Sequence, residues 1–178
     1  MRRTVSASSF WTKRTNCWVS DVCLIVDANA AGEFLAKSSA IRDWLGSSRG
    51  EPRLVAAGLL RRELARLSEV RRFLVQLDRA GRLRSADEHR LRREEERLRA
   101  SSLCGSNDSH VLALAIVTGA RTLATFDQAL IDDFRNAGIV SGPRGSVYRD
   151  PGTHAHLLRH TPSCGVQSTG SRRRRRVR

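Results

Sequence analysis

The sequence predicts an α/β fold, a three-layer sandwich in which helices flank a central, mostly parallel sheet. Two observations predict it. Short apolar runs of strand length alternate with stretches of helical period. Two of those runs, Leu24-Ile25-Val26 and Arg121-Thr-Leu-Ala-Thr-Phe126, close directly on an aspartate, Asp27 and Asp127. The carboxyl edge of an open α/β sheet is where ligands bind.

Leu24 to Val26 forms a buried strand on this reading, and Asp27-Ala-Asn-Ala-Ala-Gly-Glu-Phe-Leu opens a helical stretch running towards Trp44-Leu45. A Gly/Ser/Pro-rich break from Gly46 to Pro52 precedes a second strand, Arg53-Leu-Val-Ala56. Leu60, Leu64, Leu67, Val70, Leu74 and Leu77 recur at three and four, which predicts one helix from Leu59 ending at Gly81. Ser85-Ala-Asp-Glu88 fits a capping box with Ser85 at N-cap and Glu88 at N3. The helix it starts runs through Leu98, with Leu91 and Leu98 as a sparse apolar stripe and alternating Arg and Glu on a solvated face. Ser106-Asn107-Asp108 starts the next helix. Val111 to Val117 is apolar nearly all round, so this helix is buried on most sides until Gly119 ends it. Arg121 to Phe126 is a further strand, Gln128 to Asn136 a short helix stopped by Gly138, and Ile139-Val140 and Val147-Tyr148 are candidate edge strands.

The chain has 178 residues, enough for one domain with its own core. Its formal net charge is +14, carried almost wholly by arginine, since Lys13 and Lys37 are its lysines. That charge suggests a polyanion partner, yet it is unevenly placed. Residues 1–22 hold +3 and residues 161–178 hold +6, leaving +5 for the middle. Three segments follow: a disordered extension over 1–23, the folded domain over 24–160, and a disordered arginine-rich tail over 161–178. In the tail, Arg172, Arg173, Arg174, Arg175 and Arg176 would hold phosphate backbones weakly and without sequence preference. The first 22 residues, rich in Ser, Thr and Arg and poor in acid, share their composition with organellar transit peptides and with plain disordered extensions. No apolar run is long enough to span a bilayer, and no apolar segment follows Arg2-Arg3 as in a secretory signal, so a cytoplasmic protein with no membrane association is expected. Cys17, Cys23, Cys104 and Cys164 form no CxxC pair and have no His partner at finger-like spacing, against structural zinc; reduced thiols are expected.

Most of the acids sit among arginines on helix faces, but four stand apart. Asp27 and Asp127 end strands, Asp108 begins an apolar helix, and Glu63 borders a core-facing stripe. Carboxylates gathered at one partly buried edge repel one another, and each gains a proton unless a cation compensates. Oxygen ligands without His or Cys suit Mg²⁺ or Mn²⁺, and such ions promote phosphodiester hydrolysis. Taken singly, Asp108 could be a helix-start acid, Asp127 a cap, and Glu63 a solvated acid paired with Arg66 or Arg62. Asp27 is harder to explain so, because a charge ending an apolar strand needs a partner.

The order of these residues resembles the PIN-domain ribonuclease family. The resemblance rests on Leu-Ile-Val-Asp27-Ala-Asn29, then Glu63 in a helix, then Asn107-Asp108-Ser-His110-Val-Leu-Ala-Leu-Ala with Thr118-Gly119-Ala120, then Leu123-Ala-Thr125-Phe-Asp127. It covers about residues 24–158, including a closing Val147-Tyr148-Arg149-Asp150-Pro151, and the stretch from Asp108 to Asp127 is its most specific part. Glu63 carries little beyond its position, and Glu69 is its rival.

The resemblance implies a PIN-like sandwich and a metal-dependent endoribonuclease. Asp27, Glu63, Asp108 and Asp127 map to the family's acidic catalytic and metal-binding quartet for Mg²⁺ or Mn²⁺, and Asn29 and Thr125 to polar neighbours that orient ligands or water. Many small bacterial PIN proteins are toxins of VapC type, so the resemblance also implies an RNA substrate, a cognate antitoxin and a homodimer. Two other readings stay open: a stand-alone RNA-processing PIN nuclease, and a non-catalytic nucleic-acid-binding protein, which would gain nothing from clustered carboxylates. His110 is read as structural, and His154, His156 and His160 as packing or exposed residues. No aromatic platform for RNA bases is visible in the sequence.

Overall fold

A computed structural model describes residues 22–47, 51–159 and 164. Five strands form one sheet in the order β3-β2-β1-β4-β5, every neighbouring pair parallel. The strands are β1 (Cys23–Val26), β2 (Arg53–Val55), β3 (Leu83–Arg84), β4 (Thr122–Ala124) and β5 (Ser146–Tyr148). The helices are α1 (Ala31–Phe34), α2 (Ala40–Gly46), α3 (Gly58–Leu64), α4 (Ser68–Arg79), α5 (Glu88–Ala100), α6 (Ser109–Thr118), α7 (Gln128–Arg135) and α8 (Pro151–Arg159). The protein is therefore the α/β three-layer sandwich that the sequence predicts, with a wholly parallel sheet. Among the described residues no helix is long and apolar enough to cross a membrane.

The central strand explains the apolar run. β1 lies between β2 and β4, and all four of its residues are buried on both faces, as parallel strands covered by helices must be. The connections from β1 to β2 and on to β3 carry α2 and α4, and the return to β4 and β5 carries α5, α6 and α7; the right-handed rule for parallel crossovers puts the two groups on opposite faces. On the first face the Arg42 guanidinium of α2 lies 4.2 Å from the Phe73 ring centroid of α4. On the second, the Arg99 guanidinium of α5 donates to Ser109 Oγ at the start of α6. α6 is buried nearly all round, as its composition predicts, and ends at Gly119, whose φ of 75° is left-handed. At Gly145 a Cβ would collide with the carbonyl oxygen and ring of Phe134, so α7 approaches β5 closely only because that position is glycine.

Several elements differ from the sequence-based expectation. The long helix from Leu59 is two helices. Arg66 and Leu67 N–H groups bond carbonyls three residues back, Leu67 turns to extended backbone, and its side chain is exposed. The break lets Leu60 and Leu64 pack in one direction and Val70, Phe73, Leu74 and Leu77 in another. The stretch after Asp27 is likewise divided, into a 3-10 turn (Ala28–Ala30), α1 and α2. α5 is capped by Asp87, whose Oδ1 accepts from Arg90 N–H at 2.9 Å, rather than by Ser85, because Leu83–Arg84 is drawn into the sheet as β3. Ile139 and Val140 lie in a turn, buried without strand pairing.

Cys23 and Cys164 are joined in a disulfide, their Cα atoms 5.7 Å apart, against the expectation of reduced thiols. A sequence separation of 141 leaves no spacing pattern to announce the pair. Cys164, in the segment the sequence assigns to the tail, is buried beside the first residue of β1.

Candidate functional site

The strand order decides where a ligand can sit. β1 continues to β2 on one side, while β4 lies on its other side and continues to β5. The connections leaving β1 and β4 diverge, and this topological switch point opens a crevice at the carboxyl edge. The register sets Val26 beside Ala124, so the residues that follow, Asp27 and Thr125, stand next to each other. Asp27 N–H donates to the Ala124 carbonyl at 2.9 Å. The Thr125 hydroxyl donates to Asp27 Oδ2 at 2.7 Å and accepts from Asp127 N–H at 3.1 Å. One fully buried hydroxyl thus ties the Asp27 carboxylate to the backbone of Asp127. Asp127 Oδ1 also caps α7, accepting from Leu130 N–H at 2.8 Å.

Asp108 and Glu63 come from the helical layers. Asp108 stands at the N-cap of α6, yet its carboxylate makes no capping bond. Helix capping therefore does not account for its side chain. The loop before it is fastened by Asp133 of α7, which accepts from Gly105 N–H at 3.1 and 3.0 Å and from Ser106 N–H at 2.8 Å. Glu63 Oε2 of α3 lies 3.2 Å from His110 Nε2, and His110 Nδ1 lies 4.0 Å from Asp108 Oδ1. His110 is buried and stands between the two acids. Glu63 thus meets this imidazole rather than Arg62 or Arg66, while Glu69 is exposed on the first turn of α4.

Two of the acids, Asp27 and Asp108, are shifted upward. Burial raises the Asp27 carboxyl above its ordinary range and the Asp108 charge raises it further; the Thr125 hydroxyl, the Ala28 N–H and His110 oppose the rise. Burial likewise raises Asp108, with the charges of Asp127 and Glu63 acting in the same direction and His110 against them. Residues from β1's end, α3, the start of α6 and β4's end therefore share one electrostatic environment.

Among the described residues, no group of three or more His, Cys, Asp or Glu side chains is arranged to hold an ion as the side chains stand. The donor chemistry nonetheless fits a hard divalent cation. All four donors are carboxylates, and both the burial that chiefly lifts Asp27 and Asp108 and the lesser repulsion from neighbouring acids are what such a cation offsets. Asp27, Glu63, Asp108 and Asp127 are the residues that would hold it.

The remaining expected positions fall less centrally. Asn29 is exposed in the 3-10 turn two residues beyond Asp27. His154 Nδ1 accepts from the backbone N–H groups of Arg149 and Asp150 at 3.2 Å each, and His156 is exposed on α8. His160 and Arg172 to Arg176 lie outside the described residues. Two contributors escape the sequence reading. Asp133 shares the buried face of α7 with Leu130, Ile131 and Phe134, a helical spacing that could have marked it. Phe126, between Thr125 and Asp127, stacks on Phe34; only the fold reveals that pairing. Comparison of the chain with known protein families, with curated proteins and with solved structures finds no match.

Proposed function

We propose that the protein is a PIN-domain-like, metal-dependent endoribonuclease that hydrolyses RNA phosphodiester bonds, as the toxin of a type II toxin–antitoxin pair. The observation that carries the reading is geometric: at the switch point of the parallel sheet the Thr125 hydroxyl joins the Asp27 carboxylate to the Asp127 backbone, and His110 stands between Glu63 and Asp108. A structural role for such a set is costly, because like charges in a half-buried crevice oppose folding.

Each residue then has a defined task. Asp27, Glu63, Asp108 and Asp127 would hold Mg²⁺ or Mn²⁺, which supplies charge stabilisation and activation of water for hydrolysis when bound. Thr125 fixes the Asp27 carboxylate and the Asp127 backbone in one orientation. His110 holds Glu63 towards Asp108. Arg61, Arg62 and Arg92 line a groove of about 720 Å³ between α3 and α5 together with Glu88, Glu95, Glu96 and the Glu95-paired Arg99, so its charge is mixed and these three guanidinium groups are the ones open to an RNA backbone. The toxin assignment, the homodimer and the antitoxin rest on the sequence resemblance; an antitoxin would have to cover or distort the acidic edge.

The test is a cleavage assay on a panel of structured RNAs with Mn²⁺, using the wild-type protein beside Asp27→Asn and Asp108→Asn. The expected outcome is cutting by the wild type and none by either variant. Cleavage that survives both substitutions, or a wild type that cuts no RNA, overturns the assignment.

A further inference from the structure

Leu67, Val75, Leu103 and Phe126 are large apolar side chains exposed among the described residues. Of these, Phe126 alone adjoins the acidic edge. It is the residue between Thr125, whose hydroxyl holds Asp27, and Asp127, which starts α7. Its ring stacks on that of Phe34, centroids 4.7 Å apart and planes inclined by 29°. Phe34 in turn meets Tyr148 edge-on at 5.6 Å and 78°. Phe34 and Tyr148 are buried, whereas Phe126 is 40% exposed. Phe126 is therefore a shelf braced from within by two fixed aromatic rings and open to solvent outside.

A ring held this way has lost its conformational freedom before any ligand arrives, which lowers the cost of binding. Nucleobases stack on such rings whatever their identity, because each presents a π-face. We propose that Phe126 is the stacking platform for an unpaired RNA base, so that the protein takes single-stranded or looped RNA and leaves duplex RNA unread. The inference rests on the nuclease reading for its choice of RNA as the ligand; the position of Phe126, next to Asp127 in the chain, puts the platform beside the acidic edge. Bases within a duplex are stacked on each other and have no free face to offer, so discrimination follows from the platform alone.

Fluorescence anisotropy in EDTA tests this without cleavage. The probes are a labelled single-stranded 12-nucleotide RNA of mixed sequence and a blunt duplex of the same sequence. They are bound to the full-length wild type and to Phe126→Ala, Phe126→Leu and Phe126→Trp. The expected result is single-strand affinity weakened roughly 10-fold in the Ala and Leu variants and held within about twofold in the Trp variant. Duplex affinity is expected to be equal in all four. Leu retains an apolar side chain over Phe34, so it carries the test if the Ala variant fails to fold. Single-strand binding by Phe126→Leu that matches the wild type overturns the proposal, as does equal loss on duplex, a change of oligomeric state in its place, or a wild type that binds no single strand. The nuclease reading is tested separately by adding Mn²⁺. A wild type that binds through Phe126 but cuts nothing sinks the nuclease alone. One that cuts while Phe126→Leu binds and cuts like the wild type sinks the platform alone.

Discussion

Thr125 and Asp27, 98 residues apart in sequence, share a 2.7 Å hydrogen bond across the boundary between β1 and β4. The same hydroxyl receives Asp127 N–H, so its removal leaves a buried carboxylate and a backbone donor without their partner. Thr125→Val keeps the shape and deletes the hydroxyl. It is expected to lower metal affinity and RNA cleavage by roughly 10- to 100-fold, the range for groups that orient metal ligands. Thr125→Ser, which keeps the hydroxyl, is expected to stay close to wild type. Mn²⁺ titration and initial cleavage rates on the two variants measure the difference.

Asp133 acts on the site at one remove. Its carboxylate binds Gly105 and Ser106 N–H groups, and the loop it holds ends at Asp108. Asp133→Ala removes a buried carboxylate that holds two backbone donors, on the exposed Gly105 and the half-buried Ser106, at a cost of about 1–2 kcal/mol because water can reach the freed N–H groups. Denaturant unfolding measures that loss. Cleavage per folded molecule is expected to fall as well, because Asp108 loses its fixed starting point.

How much of this was legible in the sequence varies with how local each cause is. The apolar run before Asp27 and the all-round apolar helix after Asp108 declare burial through their own composition, and both lie where expected. The strand-end placement of Asp27 was legible for the same reason, whereas β4 stops at Ala124 and Asp127, three residues on, is the N-cap of α7. β3 was not: two half-buried residues become a strand only because β2 is there to pair with them. The break at Leu67 hides inside an unbroken three-and-four spacing, since packing direction decides it and period does not. The Glu63–His110 contact, the Phe34–Phe126 stack and the Cys23–Cys164 pair each join distant segments, so local pattern carries no trace of them.

Asp150 gives a pH signature away from the site. Its carboxylate accepts from the Thr153 hydroxyl at 2.8 Å and from Thr153 and Gly152 N–H at 2.9 and 3.2 Å, which holds its pKa below the ordinary value of 3.8. A carboxyl with a depressed folded pKa stabilises the protein fully above its unfolded pKa and loses that contribution as pH falls through the folded value. The melting-temperature gap between wild type and Asp150→Ala is therefore expected to be constant from pH 7 to about 5 and to shrink as pH is taken below about 4. A gap that widens on acidification contradicts the assignment.

The Cys23–Cys164 disulfide closes a loop spanning a sequence separation of 141. Loss of such a cross-link costs about 2–4 kcal/mol through the freedom returned to the unfolded chain. Cys164→Ser is expected to unfold at lower urea than the wild type, and reductant is expected to shift the wild type towards the variant while leaving the variant unchanged. A wild type indifferent to reductant contradicts the pairing.

The central claim is that Asp27, Glu63, Asp108 and Asp127 act as one cation site. Calorimetric titration of Mn²⁺ into the wild type, Asp27→Asn and Asp108→Asn tests it without substrate. The account expects saturable binding by the wild type and its loss in both variants, although one acid ends a strand and the other opens a helix. Equal Mn²⁺ binding by all three proteins, or none by the wild type, would contradict it.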